Sequence, residues 1–187
     1  MKLKNVLFLM SAMLVLTLSS FSQTNVFPLD ANGEIVYSGI VNVDSINSKE
    51  LYVRAHTWFA NTFKSAKSVI QLDDKEAGKI IGKGFIEVVT PFKAGVMGTV
   101  GFVGNVYFTL DIQTKDGKYK YVLSNFSYIN SINDAEFDFK SSSVVKNGLY
   151  QKKWDLWWQN AKINTNADVL NLIESLKKAM NINNSNW

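Results

Sequence analysis

The clearest pattern along the chain is a strict alternation from Val106 to Lys115. Val106, Phe108, Leu110 and Ile112 fall on one side, and Tyr107, Thr109, Asp111 and Gln113 on the other. A period of two with apolar residues on one side predicts a half-buried strand. Asp116-Gly117 follows, and a two-residue loop of this type closes a tight hairpin that sets Ile112 opposite Tyr121 and Leu110 opposite Leu123. Upstream, Glu34 to Val43 is rich in β-branched residues after the turn former Asp30-Ala31-Asn32-Gly33, which predicts a first strand. A helix should come next. Asn47 can cap it with Glu50 three residues on, and Leu51, Ala55, Trp58, Phe59, Thr62 and Phe63 recur along one helical face.

Val69 to Asp73 and Lys79 to Thr90 read as two strands joined through Asp74-Lys75-Glu76-Ala77-Gly78. In the longer one, Ile80, Gly82, Gly84, Ile86 and Val88 form the side expected to be buried, and Ile81, Lys83, Phe85, Glu87 and Val89 form the other. Gly82 and Gly84 leave room for bulky helix residues such as Trp58 and Phe59 to approach the strand backbone.

From Asn130 to Gly148 the chain turns polar, and Asp134, Glu136 and Asp138 alternate with Ala135, Phe137 and Phe139, as in a short edge strand or an ordered loop. A helix is expected near Trp154. A separate closing helix over 166–180 follows, capped by Thr165 or Asn166, with Val169, Leu172, Ile173, Leu176 and Met180 inward and Lys177 and Lys178 at its negative end. The order strand, helix, antiparallel strands, helix gives an α+β fold of two layers, an antiparallel sheet with helices on one face.

The first 22 residues stand apart. Lys2 and Lys4 precede an uncharged apolar run from Val6 to Leu18, and Ser20-Phe21-Ser22 supplies small residues for cleavage, the pattern of a secretory signal peptide. The run is shorter than the roughly 18 apolar residues needed to span a membrane. The expected mature chain is one domain over 23–187, secreted or periplasmic. With no cysteine in the chain, a lipid-modified amino terminus, thiolate metal sites and cysteine nucleophiles are excluded, and the domain must rely on its core. Of the formal charge of +4, Lys2 and Lys4 account for two, so +2 remains on residues 23–187. The other lysines are spread among acids, which argues against nucleic acid as a partner.

The segments ELYVRAHTWF, VIQLDDKEAGKIIGKG and YFTLDIQTKDGKYKY, in that order and spacing, resemble a family of exported Gram-negative bacterial proteins of unknown function with a TATA-box-binding-protein-like fold. The resemblance covers about residues 29–128 and, more loosely, the closing helix. It implies a fold and an exported location, and it brings no catalytic residues.

Candidate chemistry is sparse. His56, the only histidine, sits at the edge of the helix stripe; it is read as a structural residue or as the base of an envelope hydrolase, no orienting acid being assignable. Ser143-x-x-Lys146 and Ser175-x-x-Lys178 lack the companion elements of penicillin-recognising enzymes. Asp73, Asp74 and Glu76, and Asp134, Glu136 and Asp138, are acidic groups that either begin a cation site or guard solvated turns and edges. No metal or cofactor is assigned.

Two apolar features remain as candidate binding residues. Gly95, Gly98, Gly101 and Gly104 recur among Val96, Met97, Val100, Phe102 and Val103, either as a long hairpin folded onto the core or as a flexible apolar tip that meets a partner. Trp154, Trp157 and Trp158, with Tyr150 one turn earlier, form a helical aromatic stripe, either core or an exposed platform for sugar or peptide. The reading that follows is a non-catalytic binding or interaction module for a protein, a lipid surface or a small ligand at the cell envelope. An envelope hydrolase using His56 or an acidic pair, and a structural subunit of a surface assembly, are the alternatives.

Overall fold

The computed structural model describes residues 26–63, 69–132, 134–144, 148 and 150–181, and the expected signal segment, residues 1–22, lies outside them. In chain order the elements are β1 (Tyr37–Asn42), α1 (Ser48–Thr62), β2 (Ile70–Asp74), β3 (Lys79–Lys93), β4 (Thr99–Lys115), β5 (Lys118–Asn130), β6 (Glu136–Phe137) and α2 (Gln151–Asn181). The strands form one antiparallel sheet in the order β1-β5-β4-β3-β2, with β6 pairing on β5. The hairpin of β4 and β5 pairs Leu110 with Leu123 and Ile112 with Tyr121, the register expected from Asp116-Gly117. The short strand β6 realises the expected edge strand around Glu136.

Helix α1 starts where its polar signal predicts, with Asn47 Oδ1 accepting the Glu50 N–H at 2.9 Å. Leu51, Tyr52, Ala55, Trp58 and Phe59 are its buried residues. The aromatic end of the helix lies over the glycines of β3. A Cβ on Gly82 would stand 2.5 Å from Phe59 Cε1, and one on Gly84 would stand 2.6 Å from Phe63 Cε1. Phe63 therefore takes the second place expected for Trp58, whose indole N–H instead donates to Ser175 Oγ on α2 at 3.0 Å.

Residues 166–180 do not form a helix of their own. One helix, α2, runs for 31 residues, and the supposed caps lie inside it. Thr165 is fully buried between Ala161 and Val169. Its neighbours are used to tie the helix to the sheet: Asn164 Nδ2 donates to Val89 O at 3.2 Å, and Asn166 Oδ1 accepts from the Tyr37 hydroxyl at 2.5 Å. Polar residues that read as a helix start are thus tertiary connectors.

A bulge in β5 shapes the centre of the sheet. The pairing of β4 with β5 slips between Tyr107 and Thr109, and Asn125 opposite the slip has φ +57°. The extra residue in β5 keeps Leu123 before it and Tyr128 after it on the same buried side. Asparagine tolerates the left-handed backbone that this requires.

Candidate functional site

Both helices pack on the side of the sheet that carries Ile80, Val88, Val106, Phe108, Leu110 and Ile112, all of them buried. No described helix covers the opposite side. There Phe85 of β3 pairs with Tyr107 of β4, and their rings lie 5.3 Å apart, tilted by 39°. Both are exposed for residues of their size, Phe85 at 45% and Tyr107 at 38%. Hydrogen-bonding groups surround them on the neighbouring positions of the same side: Lys83 opposite Thr109, Glu87 opposite Asn105, and Ser127 beside Tyr107. Asn125, exposed by the bulge, donates from Nδ2 to Thr109 Oγ1 at 3.3 Å.

Lys83, Phe85, Glu87, Tyr107, Thr109 and Asn125 line a cleft of about 760 Å³ whose wall continues round to Thr62, Phe63, Val69 and Phe108 of the helix side. The sheet has an open edge at this point, because β2 pairs with β3 only between Lys79 and Gly82. The volume lies in the range of small-ligand sites, which combine apolar and aromatic walls with a few polar groups. Chemically, the cleft offers two aromatic faces, one cation, one carboxylate, an amide and hydroxyls. Among the described residues it assembles no nucleophile with a base.

The sequence-predicted candidates take other places. Phe102, Trp154 and Trp157 do meet, but as one packed group. Phe92 stacks on Trp154 at 4.5 Å, Phe102 lies 5.5 Å from Trp154 and 5.7 Å from Trp157, and the Trp157 indole donates to Thr90 O at 3.3 Å. Trp157 and Trp158 are buried in the core, so they form no exposed platform. Beside Trp158, burial holds the Lys162 ammonium below its ordinary pKa, and its Nζ donates to Ser141 O at 3.3 Å.

Of the glycine-rich stretch, Gly95 and Gly98 shape a short 3-10 turn with φ of +68° and +79°, while Gly101 and Gly104 lie within β4. Gly104 faces the ring of buried Tyr128. Val96 at the turn is fully exposed, and the side chain of Met97 lies outside the described residues.

His56 has an acid after all. Its Nε2 lies 3.3 Å from Asp73 Oδ2, and the other Asp73 oxygen accepts from the Tyr52 hydroxyl. Burial, then this hydrogen bond, push the Tyr52 phenol up to about 12. The cluster ties α1 to the edge strand β2. Of the other acids, Asp74 accepts from the N–H groups of Glu76 and Ala77, and Asp138 from that of Lys140. Among the described residues no group of three or more histidine and acidic side chains could hold a metal. Ser175 Oγ donates to Leu172 O while accepting from Trp58, and Lys146 of the other Ser-x-x-Lys match lies outside the described residues. Among the described residues no helix is long and apolar enough to cross a membrane.

Residues 37–129, which hold β1 to β4 and all of β5 but its last residue, match the family model described as a domain of unknown function (DUF4468) with TBP-like fold. The chain belongs to this family through that segment. The DUF4468 match agrees with two solved structures. A DUF4468 family protein from Bacteroides ovatus ATCC 8483 has a TM-score of 0.64 at 14% identity, covering 88% of this chain and 95% of its own. A TBP-like protein from Parabacteroides distasonis ATCC 8503 has a TM-score of 0.53 at 13% identity, covering 81% and 97%. At such identities the likeness is one of fold. No curated protein matches the chain.

The strand alternation predicts Phe85 and Tyr107 on the side away from the helices and does not mark them as a site. The available signal was two aromatic rings at adjacent paired positions among Lys83, Glu87, Thr109 and Asp111, where solvent-facing polar residues would suffice.

Proposed function

We propose that this DUF4468 protein is an exported, non-catalytic binding module whose ligand sits on the bare side of the sheet, over Phe85 and Tyr107. The observation that carries this reading is the exposure of a paired Phe and Tyr within a cleft of small-ligand size, ringed by Lys83, Glu87, Thr109 and Asn125. A ligand that suits it has a flat apolar face for the rings and polar groups at its rim. A pyranose sugar has this chemistry. Lysines on the bare side alternate with Glu87 and Asp111, so the surface is not the uniformly basic one that a nucleic-acid backbone requires. Isothermal titration with disaccharides of glucose and of N-acetylglucosamine, using wild type and Phe85→Ala/Tyr107→Ala, tests the proposal. Binding by wild type that the double variant loses supports it. Sugar binding that survives in the variant, or the absence of binding to every disaccharide, counts against it.

A further inference from the structure

The sheet cleft makes no use of the far end of the β3–β4 hairpin, which continues past Gly104, where the pairing of β4 with β5 begins, to the turn at Val96. Val96 is fully exposed, and Val100 is exposed beside it. Residues 94–98, Ala-Gly-Val-Met-Gly, have no polar side chain. Their backbone closes on itself: the Ala94 N–H donates to Gly98 O at 2.8 Å, and the Gly98 N–H to Gly95 O at 3.1 Å. The start of α2 lies at the level of this turn. Asn164 bonds to Val89, Trp157 bonds to Thr90 and Trp154 stacks on Phe92, so the helix followed backwards climbs the hairpin towards its tip. One turn before Trp154 comes exposed Tyr150, and Lys153 Nζ sits 5.5 Å from the centre of its ring. Lys93, Lys152 and Lys153 are exposed, and none is ion-paired among the described residues. Neither residues 88–104 nor residues 139–154 contain an acid. Asp155, the first acid of α2, has one carboxylate oxygen buried.

We infer that this end of the molecule docks on an anionic lipid surface, with Val96 among the acyl chains and Lys93, Lys152 and Lys153 at the headgroups. The charge pattern selects the occupant. A site for a sugar or other small ligand is defined by placed hydrogen-bonding groups, and residues 94–98 offer no side chain of that kind. A bilayer carrying negative headgroups asks only for apolar surface with a basic rim. Backbone that enters hydrocarbon must bond internally, as this turn does. Tyr150 beside Lys153 suits the boundary layer, where amphipathic rings and long cationic side chains collect. Lys79, Lys140 and Lys177, by contrast, each hold an acid and have no charge to spare. The apolar surface that inserts is small, so binding is reversible and no stronger than the roughly 10⁴ M⁻¹ of a single acyl chain. The docking end does not depend on the sugar cleft. Phe85 lies about 26 Å from Lys93 along β3, at about 3.3 Å per residue.

Co-sedimentation with lipid vesicles tests this, using chain 23–187, which holds every described element and omits the apolar leader. The vesicles are of phosphatidylcholine alone or with about one-third phosphatidylglycerol. Wild type should bind the anionic vesicles at least about tenfold more tightly than the neutral ones, and salt at about 0.5 M should remove the difference. Val96→Asp should weaken binding at least about tenfold with an unchanged thermal midpoint. Lys152→Gln/Lys153→Gln should weaken it about twenty-fivefold, at about fivefold for each lysine. Lys118→Gln/Lys120→Gln removes the same charge from exposed positions at the other end of the sheet and should change binding by less than about twofold. No binding to anionic vesicles, equal binding to neutral ones, a Val96→Asp variant that binds like wild type, or equal losses from the two lysine pairs would overturn the inference. Phe85→Ala/Tyr107→Ala should bind vesicles like wild type, which separates this surface from the sheet cleft. A loss in that variant would put the lipid contact on the bare side of the sheet and count against the tip.

Discussion

The ring of Phe59 occupies the space that a side chain on Gly82 would need, 2.5 Å from the position of its Cβ. Phe63 stands in the same relation to Gly84. Both rings belong to the packed aromatic group of Trp58, Phe59 and Phe63 and have little room to retreat. Gly82→Val and Gly84→Val should each destabilise the fold by about 1–3 kcal/mol, the cost of overpacking. Urea denaturation measures this, and unchanged midpoints for both would mean that α1 does not lie on β3 as described.

At the far end of the same strands, Phe102 should behave as a packing residue. Its ring is held by Phe92, Trp154 and Trp157, so Phe102→Ala should cost roughly 2–3 kcal/mol, below the about 3–5 kcal/mol of a fully buried ring. Val96→Ser at the exposed turn should stay within about 0.5 kcal/mol. Equal losses at the two positions would contradict this division of the hairpin.

Thr165 is buried in α2, and its hydroxyl has no hydrogen-bond partner among the described residues. Replacing it with valine keeps the shape and removes the unsatisfied group. Thr165→Val should raise stability by about 1 kcal/mol, at the low end of the penalty for such a group. A destabilised variant would show that the hydroxyl is hydrogen-bonded in solution.

The buried tyrosines set an alkaline limit. Burial pushes Tyr128 up to about 12 and Tyr37 and Tyr119 further still, while the unfolded chain ionises near 10. Above pH 10 the unfolded chain releases protons that the folded one retains. Stability is therefore fully present below pH 10 and falls as pH rises through about 12. Tyrosinate absorbance should develop in two stages, the exposed rings first and the buried ones together with loss of helical circular dichroism. A single ionisation near pH 10 without unfolding would contradict the burial of these rings.

Much of this architecture is legible in the sequence because local rules and tertiary demands agree. Asn47 with Glu50 caps α1, Asp116-Gly117 sets the β4–β5 register, and the glycine side of β3 is the buried one. Where they disagree, the sequence misleads. Thr165 and Asn166 read as a cap, yet one is core and the other bonds to Tyr37 across the domain. His56 finds Asp73 only because β2 folds back along α1, a pairing that spacing along the chain does not contain. The bulge at Asn125, which places its amide in the cleft, has no clear local signature. Phe85 and Tyr107 were visible on the polar side, but their pairing and exposure come from the strand register and from where the helices lie.

Amide chemical-shift mapping during titration with the disaccharides decides whether the bare side of the sheet is the binding surface. Shifts should concentrate at residues 83–87, 105–109 and 125–127, with α2 silent. They should vanish in Phe85→Ala/Tyr107→Ala, whose stability should fall by no more than about 0.5–1.5 kcal/mol, the worth of an exposed aromatic pair. Shifts confined to the Val96 turn, to α2 or to the His56–Asp73 cluster, with residues 83–87 and 105–109 unmoved, would contradict it.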